Sequence, residues 1–309
     1  MTGFRRFLNM LIAVLLVPLS AYSQQRFPKV VPAGNYSGIC ALGSQRYAVV
    51  SDKAETDGFY VFRIHIDTIR GRIQNVENEG YRSSGLPNCD MEAICFFPPS
   101  GTVFIASERD SEVNEYSLDG RRTGRRLEMP EYVRQANRNT GLESLCYDAG
   151  RHRFYATLER PLKGDSTLLI LSFNDQLQLA ETYTYVPDAP ISRKYYQGVS
   201  ELCALSDGRL LVLERQIRVP RLKLGAKTVI RLYEVFPDSN ALLEKRLVRE
   251  FKTRLTLTGR KFANYEGVCR ISSGWLLMVA DSQNQYKGML RDWFLLTPLD
   301  RNMSTFNSF

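Results

Sequence analysis

Apolar and polar positions alternate with a period of two through much of the chain. The runs at 59–67 (FYVFRIHID), 166–174 (STLLILSFN) and 228–236 (TVIRLYEVF) show it best. Such alternation, rich in β-branched and aromatic residues and cut by Gly, Asp, Ser and Pro, predicts antiparallel strands. The pattern also recurs at long range. Aligned on cysteine, five copies appear: YSGICALGSQRYAVVSDK, MEAICFFPPSGTVFIASER, LESLCYDAGRHRFYATLER, VSELCALSDGRLLVLER and YEGVCRISSGWLLMVADS. Cys40, Cys95, Cys146, Cys203 and Cys269 share one register, at intervals of 55, 51, 57 and 66 residues; Cys89 stands outside it. A regular interval of this size predicts a propeller.

Each copy reads as a short apolar strand, a turn, a second strand ending at an acid, and a third, alternating strand. Some copies show a fourth strand, as at 247–253. Four antiparallel strands make a propeller blade. The expected fold is therefore all-β: a single β-propeller of five blades by repeat count, with room for a sixth, degenerate blade in 220–262. The last copy runs out after 291–298, one strand short, so the segment 26–34 is expected to close the ring and leave no bare edge.

The N-terminus breaks the pattern. Arg5 and Arg6 precede an apolar run from Leu8 to Leu19, followed by small residues around Ala21 and Ser23. That is the form of a secretory leader. The run is shorter than the roughly 20 residues a membrane anchor needs. A signal peptide over 1–23 and a propeller domain over 24–309 follow, with the protein exported to the periplasm or secreted and keeping no transmembrane span after cleavage. Six cysteines in an exported chain would ordinarily predict disulfides. Their repeated register predicts instead free thiols buried in blade packing, with Cys89 as the one exposed thiol. The net formal charge is +8, and loss of Arg5 and Arg6 would lower it by two. A basic surface suits an anionic small molecule or an acidic envelope. Nucleic acid is not expected as a partner, because the arginines are scattered.

Strand order within a blade places the start of the first strand and the end of the second on one face of the disc. Glu92, Glu143 and Glu266 fall at the first place, with Ser37 and Ser200 in the other two copies. Asp52, Glu108, Glu159, Glu214 and Asp281 fall at the second, and Lys53, Arg109, Arg160 and Arg215 follow four of them. Converging carboxylates repel unless something compensates. A calcium ion with its six to eight oxygen ligands would do so. So would arginine pairing or backbone N–H groups at the strand ends. The second-strand acids recur in every copy and read as a structural ring. The inner glutamates do not, and read as the functional set: Glu92, Glu143 and Glu266, with Asp90 and Asn264 two residues upstream of a glutamate, as ligands of a divalent metal, with Arg109, Arg160, Arg215 and Arg138 to hold an anionic substrate.

Other chemistries find no support. His65 lies in a third strand and His152 in a turn on the opposite face, so neither can serve a nucleophile at the mouth. There is no Gly-x-Ser-x-Gly elbow, phosphate-binding glycine loop or dinucleotide fingerprint.

From about Tyr36 to Leu299 the chain resembles the phytase-like family of exported bacterial proteins, described as having esterase-like activity. The resemblance rests on YSGICAL with YAVVSD, DMEAICFFPPSGTVFIASE, NRNTGLESLCYD with FYATLER, ELCALSDGRLLVLER, and NYEGVC with LLMVADSQN. Members usually carry a small residue, often Ala, at the five cysteine positions. The resemblance implies a propeller and phosphoester chemistry. The acids and bases are also similar in type to those of calcium-dependent propeller phytases. The expected function is therefore metal-dependent hydrolysis of a phosphorylated or other anionic small molecule. The alternatives are a lactonase-type sugar hydrolase and a non-catalytic propeller that binds a ligand or partner.

Overall fold

The computed structural model describes residues 23–26, 31–136, 141–238, 240–257, 260–271, 274–281 and 293–299. The chain builds five antiparallel sheets in a ring, each running outward from a first strand at the centre. The five blades are as follows. Blade one holds Tyr36–Gly43, Arg46–Ser51, Thr56–Asp67 and Arg72–Pro87. Blade two holds Met91–Phe97, Thr102–Ser107, Glu112–Tyr116 and Arg122–Arg126. Blade three holds Leu142–Asp148, Arg153–Leu158, Leu168–Asn174 and Leu179–Tyr185. Blade four holds Tyr196–Ala204, Leu210–Arg218, Lys227–Val235 and Arg246–Leu255, with the short Arg260–Lys261 added at its edge. Blade five holds Asn264–Ile271, Trp275–Asp281 and Trp293–Pro298. First strands pack in cyclic order, and blade five meets blade one.

Two expectations need correcting. The stretch 220–262 is no extra blade, because it supplies the outer strands of blade four. The ring does close with an N-terminal strand, but that strand is Ser23–Arg26, paired antiparallel with Trp293–Pro298. It lies upstream of the expected 26–34, of which residues 31–34 are irregular. Gln24 and Gln25 are polar, so apolar patterning does not mark them; their backbone groups are what the edge of blade five takes up.

Apolar side chains between neighbouring blades form the core. Phe97 and Phe104 of blade two meet Tyr147 and Phe154 of blade three with ring centroids 4.7–5.0 Å apart. Phe62 of blade one meets Phe294 of blade five at 6.3 Å, edge to face. Each buried aromatic contributes about 1.5–3 kcal/mol from area alone. The blades are thus fixed against one another, and the polar ends of their inner strands stay at one mouth.

Candidate functional site

In every blade the register between first and second strands slips near the mouth. The slips fall between Met91 and Ala93, Leu142 and Ser144, Val199 and Glu201, Tyr265 and Gly267, and Tyr36 and Ile39. The residues skipped are Glu92, Glu143, Ser200, Glu266, and Ser37 with Gly38. A bulge inserts an extra residue and re-aims its side chain. The inner set is therefore a ring of bulge residues, and all five are buried.

Register also revises the outer ring. Asn264 pairs with Asp281, one step above Tyr265 and Ala280. Met91 pairs with Ser107 and Leu142 with Leu158, which puts Glu108 and Glu159 at that same next step. In blade four Val199 pairs with Glu214 and Gly198 with Arg215. The ring position of blade four is therefore filled by Arg215, not by Glu214. Adjacent strand residues point to opposite faces. Glu214 accordingly leaves the mouth: it accepts from the Tyr185 hydroxyl (2.5 Å), Lys245 Nζ (2.7 Å) and the Asp188 N–H (3.0 Å). The sequence carried part of the signal. From cysteine to ring residue is twelve positions in blades one and five and thirteen in blades two and three, which from Cys203 leads to Arg215 or Gln216, never to Glu214.

Arg215 holds the site together. Its guanidinium donates to Glu143 Oε1 and Glu159 Oε1, both at 3.1 Å, and lies 2.8 Å from Glu266 Oε1. It also reaches Asn264 Oδ1 at 3.4 Å. Asn264 in turn donates to Glu266 (2.7 Å) and Asp281 (3.4 Å). Burial drives the carboxyls of Glu143 and Glu266 well above their ordinary range, against the pull of Arg215. Glu159 is raised for the same reason, with Arg215 and the Tyr196 hydroxyl opposing. Glu92 lies on the far side of the ring from blade four. Burial and the charges of Asp52 and Glu108 raise it, and a hydrogen bond from Ser37 opposes them. Two rim carboxyls sit close to neutrality. Burial, with Asp281 beside it, pushes Asp52 up to about 6. Burial pushes Glu108 up to about 7, although its Oε1 accepts the Gly141 N–H at 3.0 Å.

Close packing fixes the outer acids. A Cβ on Gly198 would lie 2.5 Å from Glu159 Cγ, and one on Gly141 would lie 2.8 Å from Glu108 Cγ. Each acid thus lies against the next blade's entering strand, where only glycine leaves room.

The remaining predicted site residues divide. Asp90 is bound by Arg109 at 2.9 Å and lies 3.7 Å from Lys53. Arg109 is therefore committed to Asp90, at an exposed rim. Arg160 stacks on Tyr196, 3.5 Å from the ring centroid, and donates through Nε to the Gln197 carbonyl at 2.7 Å. It borders a cleft of about 280 Å3 between blades three and four, walled by Pro161, Pro187, Pro190 and Tyr195, with Glu159 at its inner end. Arg138 lies outside the described residues. The five expected metal ligands do not form a cage, because Asp90 is held at the rim by Arg109 while Arg215 stands among Glu143, Glu266 and Asn264. Among the described residues no group of three or more His, Cys, Asp or Glu side chains could hold a metal ion. Glu143, Glu266 and Asn264 do not fit a calcium ion, since the Arg215 guanidinium already stands among them. Arginine pairing and backbone N–H donation are both present at the mouth.

Glu201 escaped the sequence reading. It is buried beside the bulge of blade four and accepts the N–H groups of Leu145 (3.2 Å) and Leu202 (3.1 Å). Burial raises its carboxyl far above the ordinary range. Its charge helps to raise all five register cysteines, which places it near the channel axis. The other blades carry Gly38, Ala93, Ser144 and Gly267 at this step, so one charged residue among small ones was the available signal. Below it the five cysteines line one cavity of about 180 Å3, besides packing between blades. They are free and buried, and Cys89 is free and half-buried. His65 pairs with Glu77 in a third strand, and His152 pairs with Asp175 in a turn on the opposite face.

Among solved structures, the chain is similar to a streptogramin B lyase at 9% identity and TM-score 0.44, covering 89% of this chain and 97% of that one. It is similar to the PQQ-bound aldose sugar dehydrogenase from Streptomyces coelicolor at 11% identity and TM-score 0.48, covering 89% and 98%. For a nidogen/laminin complex the values are 12%, 0.46, 89% and 79%. No curated protein matches. The phytase-like family, described as esterase-like activity of phytase, matches residues 31–283, and the chain belongs to it.

Proposed function

We propose that this chain hydrolyses small anionic esters at the acidic mouth, with carboxyl groups carrying the proton transfers. The observation that carries the reading is the pair Asp52 and Glu108, held up to about 6 and about 7 beside the buried Glu92. A group that titrates near the working pH is the most effective general acid or base. Titratable groups pushed far from their ordinary values in a concave site mark candidate chemistry. In this reading Asp52, ionised above pH 6, takes the proton of an attacking water. Glu108, about half protonated at neutrality, supplies one to the leaving oxygen. Lys53 pairs with Asp52 at 2.5 Å on the same rim, and Arg160 offers a cation to an ester whose apolar part fills the proline- and tyrosine-walled cleft. The assignment gives function to two outer acids and makes Glu143 and Glu266 the fixed electrostatic floor around Arg215. Membership of a family described by esterase-like activity supports hydrolysis; the substrate class rests on the cations and the cleft.

The test is turnover of p-nitrophenyl phosphate, phytate and p-nitrophenyl carboxylic esters, with added calcium and with chelator. Hydrolysis of at least one class should survive chelator and show a bell-shaped pH profile with limbs near 6 and 7. Asp52→Asn should flatten the acidic limb and Glu108→Gln the basic one. Activity that chelator abolishes, or a profile unchanged in both variants, would overturn the assignment.

A further inference from the structure

Blade four carries an extension that is not found among the described residues of the other blades. Its second strand continues three residues past Arg215 to Arg218, about 10 Å beyond the ring position at the usual rise per residue. The loop that follows and the end of the fourth strand are tied by two backbone bonds, from the Gly225 N–H to the Leu255 carbonyl (3.1 Å) and from the Leu255 N–H to the Ala226 carbonyl (2.8 Å). Ile217, Ala226, Leu255 and Phe262 form a small core of its own beneath it. The extension therefore stands as a folded projection on the face that bears the mouth.

Its composition is one-sided. Segments 216–227 and 252–261 contain eight Lys and Arg residues and no acid. The tip is apolar: Leu222 is 89% exposed and Leu257 87%, with Val219 and Leu224 exposed beside them. Neither leucine belongs to the small core, so folding does not account for them. Lys252 pairs with Glu250 at 2.9 Å on the flank.

We propose that this projection docks the protein on the surface of an anionic lipid bilayer. Leu222 and Leu257 would sit below the head groups, while Arg218, Arg221 and Arg254 meet the lipid phosphates. Apolar tips ringed by cations are the chemistry of interfacial binding, in which buried apolar area and attraction to anionic lipid add together. A soluble anion would explain the cations but not the exposed leucines. A neutral protein partner would explain the leucines but not an acid-free set of eight cations. Docking would turn the mouth toward the membrane. The proposal does not depend on what the mouth catalyses.

The test is co-sedimentation of the purified protein with vesicles of phosphatidylglycerol and phosphatidylcholine in equal parts, against phosphatidylcholine alone. Binding should require the anionic lipid and weaken with salt. The Arg218→Gln, Arg221→Gln, Arg254→Gln triple variant should bind about a hundredfold more weakly, at about fivefold per charge. The Leu222→Ser, Leu257→Ser variant should bind at least tenfold more weakly with an unchanged melting temperature. Arg121→Gln, in an exposed turn of blade two, should bind as the parent does. No binding to anionic vesicles, equal binding to both vesicle types, or loss with Arg121→Gln but not with the projection variants would each overturn the proposal. If only the charge variant weakens binding, the leucines do not enter the bilayer and the proposal also fails.

Discussion

Replacing Arg215 with methionine tests the account of the mouth directly. The side chain is buried, and its guanidinium is shared by Glu143, Glu159 and Glu266 at 2.8–3.1 Å. Methionine retains much of the volume and removes the charge. Deleting one member of a buried ion pair costs about 3–5 kcal/mol, because the partner stays buried and uncompensated. The cost must depend on pH. Each of the three carboxyls already stands above its ordinary 4.5, with Arg215 pulling it down. Without Arg215 they rise further, so the folded variant holds protons that the unfolded chain has released. Stability then falls as pH rises through the interval between unfolded and folded values. Well below pH 4.5, where both states are protonated, the variant should lie close to the parent. As pH rises above that the gap should widen toward about 3–5 kcal/mol, or roughly 10 °C in melting temperature. Thermal and urea melts across this range measure it. A loss that is the same at both ends of the pH range would refute the reading, as would a variant as stable as the parent at pH 8.

Glu201→Gln should remove part of the decline in stability that the parent shows as pH rises above 4.5, because Glu201 is another carboxyl raised by burial; urea melts at a series of pH values check this. The Gln carbonyl can still accept the Leu145 and Leu202 N–H groups, so the fold should persist, and an unchanged pH slope would count against a buried, titrating Glu201. For the cysteines, alkylation and mass spectrometry of denatured, unreduced protein should find six free thiols, and native protein should expose at most Cys89. Any intramolecular bridge would contradict the register shared by the five buried cysteines.

The fold was legible because a blade repeats its local rules. Cysteine register, alternation and turn residues each pointed to the same strands, so five copies reinforced one reading. The closing strand was displaced because Gln24 and Gln25 have no apolar pattern to betray pairing through the backbone alone. At the mouth, the sequence showed which residues arrive but not which way they point. Glu214 and Arg215 are neighbours in the sequence, and a one-residue slip exchanges the faces of a strand. The pattern of an acid followed by a base points to Glu214; counting twelve forward from Cys203, the spacing of blades one and five, reaches Arg215. Glu201 was hidden by the bulge, since a bulge shifts by one the residue that reaches the axis.

Blade four breaks the symmetry, and electrostatics gives the reason. A ring of five identical blades would place five acids at one rim with several more inside, and like charges at that density cannot all remain ionised. Repetition can supply the scaffold but not the counter-charge. One blade must depart, and blade four does so at consecutive levels: Ser200 in place of an inner glutamate, Arg215 in place of an outer acid, and Glu201 where the other blades keep small residues. Its Tyr196 also reaches across to stack on Arg160 of blade three and donates to Glu159. The cleft beside the mouth lies at this junction, lined by Glu159 and Arg160 of blade three and by Gln197 and Gly198 of blade four. If that is the logic of the site, moving the arginine should move the defect. The double variant Arg215→Glu with Glu159→Arg keeps the net charge of the rim, yet it should remain destabilised relative to the parent. A guanidinium at 159 would start from blade three and could not accept the Tyr196 hydroxyl bond that Glu159 now accepts. Recovery of full parental stability in this swap, read by thermal melts at neutral pH, would show that net charge alone matters and that the placement in blade four does not.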